Sequence, residues 1–122
     1  MPNEPGSAPL RYVVLSHEGW DEPHFDLMFE REPNGPLVTW RSPVWPLVDG
    51  TTLVQLGEHR RDYLDYEGPV SGNRGQVRRI AAGSFQWLRR GPDLTLIRLL
   101  APEPKSWLIA TDPQGRARAK SA

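Results

Sequence analysis

Cysteine is absent from this chain of 122 residues. No disulfide framework and no thiolate metal site is therefore open to it, and any metal must be held by histidine and carboxylate. Long apolar runs are missing too. Nothing approaches the roughly 20 residues that a membrane-spanning helix needs, and Met1 to Pro9 is polar with no signal-peptide core. These absences point to a cytoplasmic protein with no membrane association. Lysine is scarce, since thirteen of the fifteen basic residues are arginine. Arginine suits bidentate phosphate contact, although a GC-rich genome produces the same bias. Histidine is scarcest of all, with three in the chain and two of them in one short stretch.

What is abundant breaks the chain into short pieces. Thirteen prolines and eleven glycines argue for short strands and turns over long helices. The length fits one domain with a single core. The formal charge is zero, but its distribution is lopsided. Glu4, Glu18, Asp21, Glu22, Asp26, Glu30 and Glu32 crowd the first part against Arg11 and Arg31, while Arg74, Arg78, Arg79, Arg89 and Arg90 run without an acid among them. An acidic half that could hold a cation and a basic half that could meet phosphate are compatible with one site.

The stretch from His17 to Glu30 (HEGWDEPHFDLMFE) carries the strongest chemical signal. Phe25, Leu27 and Phe29 alternate with His24, Asp26, Met28 and Glu30, which is the period of a strand with two different faces. His24 and Asp26 then point the same way, with Cα atoms about 6.8 Å apart. His17 stands seven residues before His24, across a loop containing Gly19 and Pro23. A hairpin there would bring His17 back beside His24. Two histidines and a carboxylate suit a divalent ion with open coordination positions. A hydrogen-bonded His-x-Asp pair is the plainer alternative.

Taken in order, residues 1–9 read as a disordered lead-in. Strands follow over 11–16, 24–31, 37–41 and 51–56, with Pro33-Asn34-Gly35-Pro36 as a strong turn. Residues 58–68 are dense in titratable and aromatic groups and open with a possible helical turn over 58–64. Residues 69–75 form a glycine-rich turn. The remainder reads as hairpins: 76–81, a turn at Ala82-Gly83, 84–89, 94–100 and 106–110. Residues 112–122 read as a flexible basic tail. About eight short strands with regular turn signals predict an all-β fold, an antiparallel barrel or sandwich. A small closed barrel with irregular connections is preferred, because it offers a polar pocket into which His17, His24, Asp26 and His59 could converge.

These motifs together resemble a known family, the 3′-phosphoesterase domain of bacterial DNA ligase D and its stand-alone relatives. The resemblance rests on His17…His24-Phe25-Asp26, Leu37 to Trp40 with Pro43, and Glu58-His59…Asp62-Tyr63-Leu64-Asp65-Tyr66-Glu67-Gly68. It continues through Gly75-Gln76-Val77, Gly83-Ser84-Phe85 and Trp107-Leu108, covering residues 10–111. It implies a manganese-dependent hydrolase that trims nucleic-acid 3′ ends in DNA repair, removing a terminal ribonucleoside and then the 3′-phosphate, beside a separate ligase or polymerase. His17, His24 and Asp26 match the family's metal ligands. His59 matches the histidine that contacts the scissile phosphate, and Tyr63 a nearby active-site tyrosine.

The departures fall on the phosphate side. Met28 stands where the family has an arginine, Leu15 where it has a glutamine, Val44 where it has a lysine, and Thr51 near another arginine. The loop from His17 to His24 is one residue longer, and residues 1–9 have no clear match to the family's polar N-terminal arm. Arg60, Arg61 and Arg74 are the candidates to replace the lost phosphate clamp. The alternative is a catalytically degenerate barrel that binds metal or nucleic acid without turnover.

Overall fold

A computed structural model describes residues 9–122. The expected lead-in lies outside the described residues except for Pro9. The strands are β1 (Leu10–Glu18), β2 (His24–Glu30), β3 (Leu37–Ser42), β4 (Thr52–Gln55), β5 (Gly68–Pro69), β6 (Gln76–Arg90), β7 (Leu94–Ala101), β8 (Lys105–Thr111) and β9 (Arg116–Ser121). Pairing runs β1-β2-β3-β4-β9-β8-β7-β6, and β6 pairs back with β1, so eight antiparallel strands close a ring. The two-residue β5 adds to β6. The all-β barrel expected from the turn spacing is the fold. No helix among the described residues is long and apolar enough to cross a membrane.

Two apolar clusters use opposite faces of the same strands. Tyr12, Val14, Leu27 and Phe29 point inward with Trp40, Phe85, Ile97, Trp107 and Ile109. Phe29 and Phe85 meet edge to face with centroids 5.0 Å apart, and Phe85 meets Trp87 in the same way. Val13, Leu15 and Met28 face outward and join Leu37, Leu64, Val70 and Val77. The connection between β4 and β6 supplies the cover over this outer wall through Leu64 and Val70. That explains why β2 is buried along both faces, where an exposed sheet would alternate. The helical turn expected over 58–64 is a single 3-10 turn, Arg61–Leu64.

Two expectations are corrected. The turn at Ala82-Gly83 does not exist, because β6 runs unbroken from Gln76 to Arg90. Gly83 is there for a close approach. A Cβ at this position would lie 1.8 Å from the Ala101 carbonyl oxygen. Register irregularities at Val14/Leu15, Ser84/Phe85 and Trp87/Arg89 let the long strand curl around the barrel.

The basic tail is not flexible either. Residues 116–121 form β9, which pairs with β4 and β8 and closes the ring, so the domain continues past 111. Ala117 and Ala119 are inward and 1% exposed, while Arg116, Arg118 and Lys120 face solvent. The alternation is a strand's, with alanine as its apolar member.

The end of β9 is tied to the preceding loop. The Ser121 N–H donates to Asp49 Oδ1 at 2.7 Å. That bond holds the Asp49 carboxyl below its ordinary value of 3.8. A depressed carboxylate contributes stability that is present above its unfolded pKa and lost as pH falls through the folded one. The melting-temperature gap between the wild type and Asp49→Ala is therefore expected to narrow as pH drops from about 5 to about 2. A gap that stays constant would separate the carboxylate charge from the anchoring of β9.

Candidate metal centre

The hairpin between β1 and β2 builds the centre. Gly19 and Asp21 take positive φ (82° and 56°) and turn the chain. In the resulting register His17 lies directly opposite His24, with Leu15 opposite Asp26. The imidazole centroids are 4.8 Å apart. One donor atom from each of His17, His24 and Asp26 lies within 4.8 Å of the others. All three residues are buried, at 7%, 5% and 5% exposure.

Hydrogen bonds fix which ring nitrogens face inward. His17 Nε2 is 2.7 Å from the Arg74 carbonyl oxygen, and His24 Nδ1 is 2.9 Å from the Glu22 carbonyl oxygen. A carbonyl can only accept, so each of these nitrogens carries the proton and donates. The opposite nitrogens, His17 Nδ1 and His24 Nε2, then present lone pairs when the rings are neutral. Both point at Asp26: His17 Nδ1 is 3.5 Å from Oδ2 and His24 Nε2 is 3.4 Å from Oδ1. His24 Nε2 and Asp26 Oδ1 are buried and have no hydrogen-bond partner. Lone pairs facing a carboxylate in a buried site repel unless a cation or proton lies among them. Ligands held about 2.1 Å from one metal ion sit about 3.0–3.4 Å apart, close to these spacings. The donor set fits a divalent ion, and the carbonyls behind the rings are the outer contacts such a site needs.

The other expected site residues are dispersed. His59 bridges Leu37, which pairs with Glu30 at the far end of β2, about 13 Å along the strand from Asp26. Its Nδ1–H donates to the Gly57 carbonyl at 2.9 Å, leaving Nε2 free of that bond. The ring meets Tyr63 edge-on at 5.9 Å, so these two residues stand together but apart from the three donors.

Arg60 is exposed, with no side-chain partner among the described residues. Arg61 is already engaged. Its guanidinium donates to Glu30 Oε2 at 2.8 Å and to the Gly35 carbonyl at 3.0 Å. Glu30 is 5% exposed and needs that cation, so Arg61 is not a free phosphate contact. Arg74 donates to the Ser71 carbonyl at 2.7 Å, and its role at the centre comes through its own carbonyl.

Two residues at the centre carry little signal in the sequence. Trp20 stacks on His17 at 5.5 Å and keeps 38% of its surface exposed. Trp45 and Trp87, by contrast, pack against the barrel core. Arg41 lies opposite Asp26 on β3. Counting outward through the Pro33–Pro36 turn could have placed it there.

No protein-family model matches the chain. The multifunctional non-homologous end joining protein LigD of Pseudomonas aeruginosa is 33% identical over 72 residues, which is 57% of this chain and 8% of that protein. The chain is thus distantly similar to a short part of a multifunctional end-joining protein.

Proposed function

We propose that this chain is a metal-dependent phosphoesterase acting on nucleic-acid 3′ ends in DNA repair, with manganese as its ion. The observation that carries this reading is the pair of histidine lone pairs, set by backbone carbonyls and converging on Asp26. The distant similarity to an end-joining protein supports the choice of nucleic acid as substrate.

His17 Nδ1, His24 Nε2 and an Asp26 oxygen would hold the ion, which when bound supplies Lewis acidity to a phosphoryl oxygen. The chain's own part is positional and electrostatic. The Arg74 and Glu22 carbonyls lock the rings, and burial keeps the donors from competing water. His59, with Nδ1–H anchored on Gly57 and Tyr63 against its ring, stands about 13 Å along the strand from Asp26, too far to exchange a proton with a group held at the ion, and is left to contact a more distant part of the nucleic acid. The exposed part of Trp20, which stacks on His17, offers a terminal base something to stack on.

A second reading has an observation of its own. Met28, standing where the resembled family has an arginine, is 1% exposed within the outer apolar cluster, and Arg61 is engaged with Glu30. Loss of cationic contacts to a phosphoryl group costs several kcal/mol of transition-state stabilisation each. A barrel that holds metal and nucleic acid without turnover would have this appearance.

Hydrolysis of a 3′-phosphate and of a 3′-ribonucleotide primer-template, with manganese, decides between them. The expected result is manganese-dependent turnover that falls by about a hundredfold or more in His24→Ala. Manganese binding without turnover would establish the non-catalytic reading, and turnover unaffected by the substitution would remove the centre from the reaction.

A further inference from the structure

We propose that Arg41 is the phosphate-binding residue of this centre, a cation supplied from β3 where β2 offers only Met28. The proposal rests on the functional reading above and names the group that would recognise its substrate.

Arg41 is in register with Asp26 across β2 and β3, so the two side chains leave the same face with Cβ atoms about 5 Å apart. From there the side chain runs toward the hairpin loop, where its terminal nitrogen is 3.4 Å from Asp21 Oδ2. Asp21 belongs to the loop that joins His17 to His24, so the side chain starts opposite Asp26 and ends at that loop. It makes no ion pair with Asp26 itself. Its other cross-strand neighbour is Val54, whose side chain has nothing to accept a hydrogen bond.

The guanidinium is under-used where it stands. Nε is buried without a partner. The contact with Asp21 is long, and the Asp21 side chain is 55% exposed, so water competes for it. A buried guanidinium N–H without an acceptor is a costly arrangement. A planar donor group with an unfilled direction, beside a cation cradle, matches an oxyanion that also reaches the ion.

The charges agree. Asp26 and a divalent ion together carry one positive charge, and Arg41 adds a second once its guanidinium turns from Asp21 to the ligand. A terminal phosphate monoester carries about −1.5 to −2 at neutral pH. An internal phosphodiester, with a single charge, gains less from the same pair.

The test is equilibrium binding of two labelled single-stranded DNA oligonucleotides, one ending in a 3′-phosphate made non-hydrolysable as its phosphonate and one in a 3′-hydroxyl, without manganese and at saturating manganese. Manganese binding is followed separately by its paramagnetic resonance signal. The wild type is expected to prefer the 3′-phosphate by about 10- to 100-fold. Arg41→Gln should bind manganese as the wild type does, within about threefold, and lose nearly all of the preference. Arg41→Lys keeps the charge without the bidentate fork and should recover only part of it. Lysine also preserves the stem, so this variant carries the test where Arg41→Gln does not fold. A preference undiminished in the folded variants would overturn the role of Arg41 and leave the functional reading standing. A wild type that shows no manganese-dependent preference would overturn the functional reading, and Arg41's role with it.

Discussion

Asp26→Asn is expected to abolish manganese binding while leaving the metal-free protein at least as stable as the wild type. The two effects have opposite causes. In the wild type, Asp26 presents two acceptor oxygens to His17 Nδ1 and His24 Nε2 at 3.5 and 3.4 Å. Those nitrogens are lone-pair positions, because the opposite ring nitrogens donate to the Arg74 and Glu22 carbonyls. Without a cation or a proton among them the three groups have nothing to share, and His24 Nε2 and Asp26 Oδ1 remain orphaned. Asparagine has the same shape but replaces one oxygen with an N–H donor, which one imidazole lone pair can accept. A hydrogen bond gained this way is worth about 1 kcal/mol. The metal-free variant should then melt at or slightly above the wild type.

Manganese reverses the order. At about one hundred times its dissociation constant, an ion that binds only the folded state stabilises it by about 2.7 kcal/mol. In a domain of this size that raises the melting temperature by roughly 10 °C. The variant lacks the anionic ligand and should show no such rise. Thermal melts of both proteins with and without manganese give all four values. An equal rise in wild type and variant would place the bound ion elsewhere. A metal-free variant several degrees below the wild type would show that the carboxylate has a structural partner the geometry does not reveal.

How much of this was legible in the sequence depends on how local each signal is. The two faces of β2 could be read directly, because Phe25, Leu27 and Phe29 alternate with His24 and Asp26, and strand period alone assigns the faces. His17 could be placed because the loop with Gly19 and Pro23 was short enough to return the chain. The errors have physical reasons. Arg-Ala-Arg-Ala-Lys reads as a polar tail when hydrophobicity is the guide, yet Ala117 and Ala119 are buried in the inner apolar cluster. Gly83 reads as a turn, whereas a glycine inside a strand also marks backbone approach, here to Ala101. The engagement of Arg61 with Glu30 depends on a contact 31 residues apart in the chain, and no periodicity carries that. Arg41 belongs to the same class. Its importance comes from register, which a sequence sets only once both strands and the turn between them are known.

Gly75→Ala is expected to lower stability by about 2–5 kcal/mol and to weaken manganese binding together with it. Gly75 has φ +74°, and a Cβ there would lie 2.0 Å from the Glu18 carbonyl oxygen and 2.8 Å from the Gly19 carbonyl carbon. Both are backbone atoms, so no side chain can swing aside. The turn of residues 70–75, closed by the Val70 N–H to the Gly75 carbonyl at 2.8 Å, must back away from the hairpin. That motion carries the neighbouring Arg74 carbonyl, which accepts from His17 Nε2–H at 2.7 Å, away from the ring. His17 is then free to rotate or change tautomer, and losing an outer contact of this type costs about 10- to 100-fold in metal affinity. Gly57→Ala is the matched control. Nothing lies within 4 Å of the added carbon and φ is not positive, so its melting temperature and manganese affinity should stay at wild-type values. The comparison separates two views of the centre. If Gly75→Ala melts roughly 10 °C lower and binds manganese more weakly, the glycine turn is a structural part of the metal site. If it melts lower but binds as tightly, the hairpin alone orients His17, and the Arg74 carbonyl is a bystander.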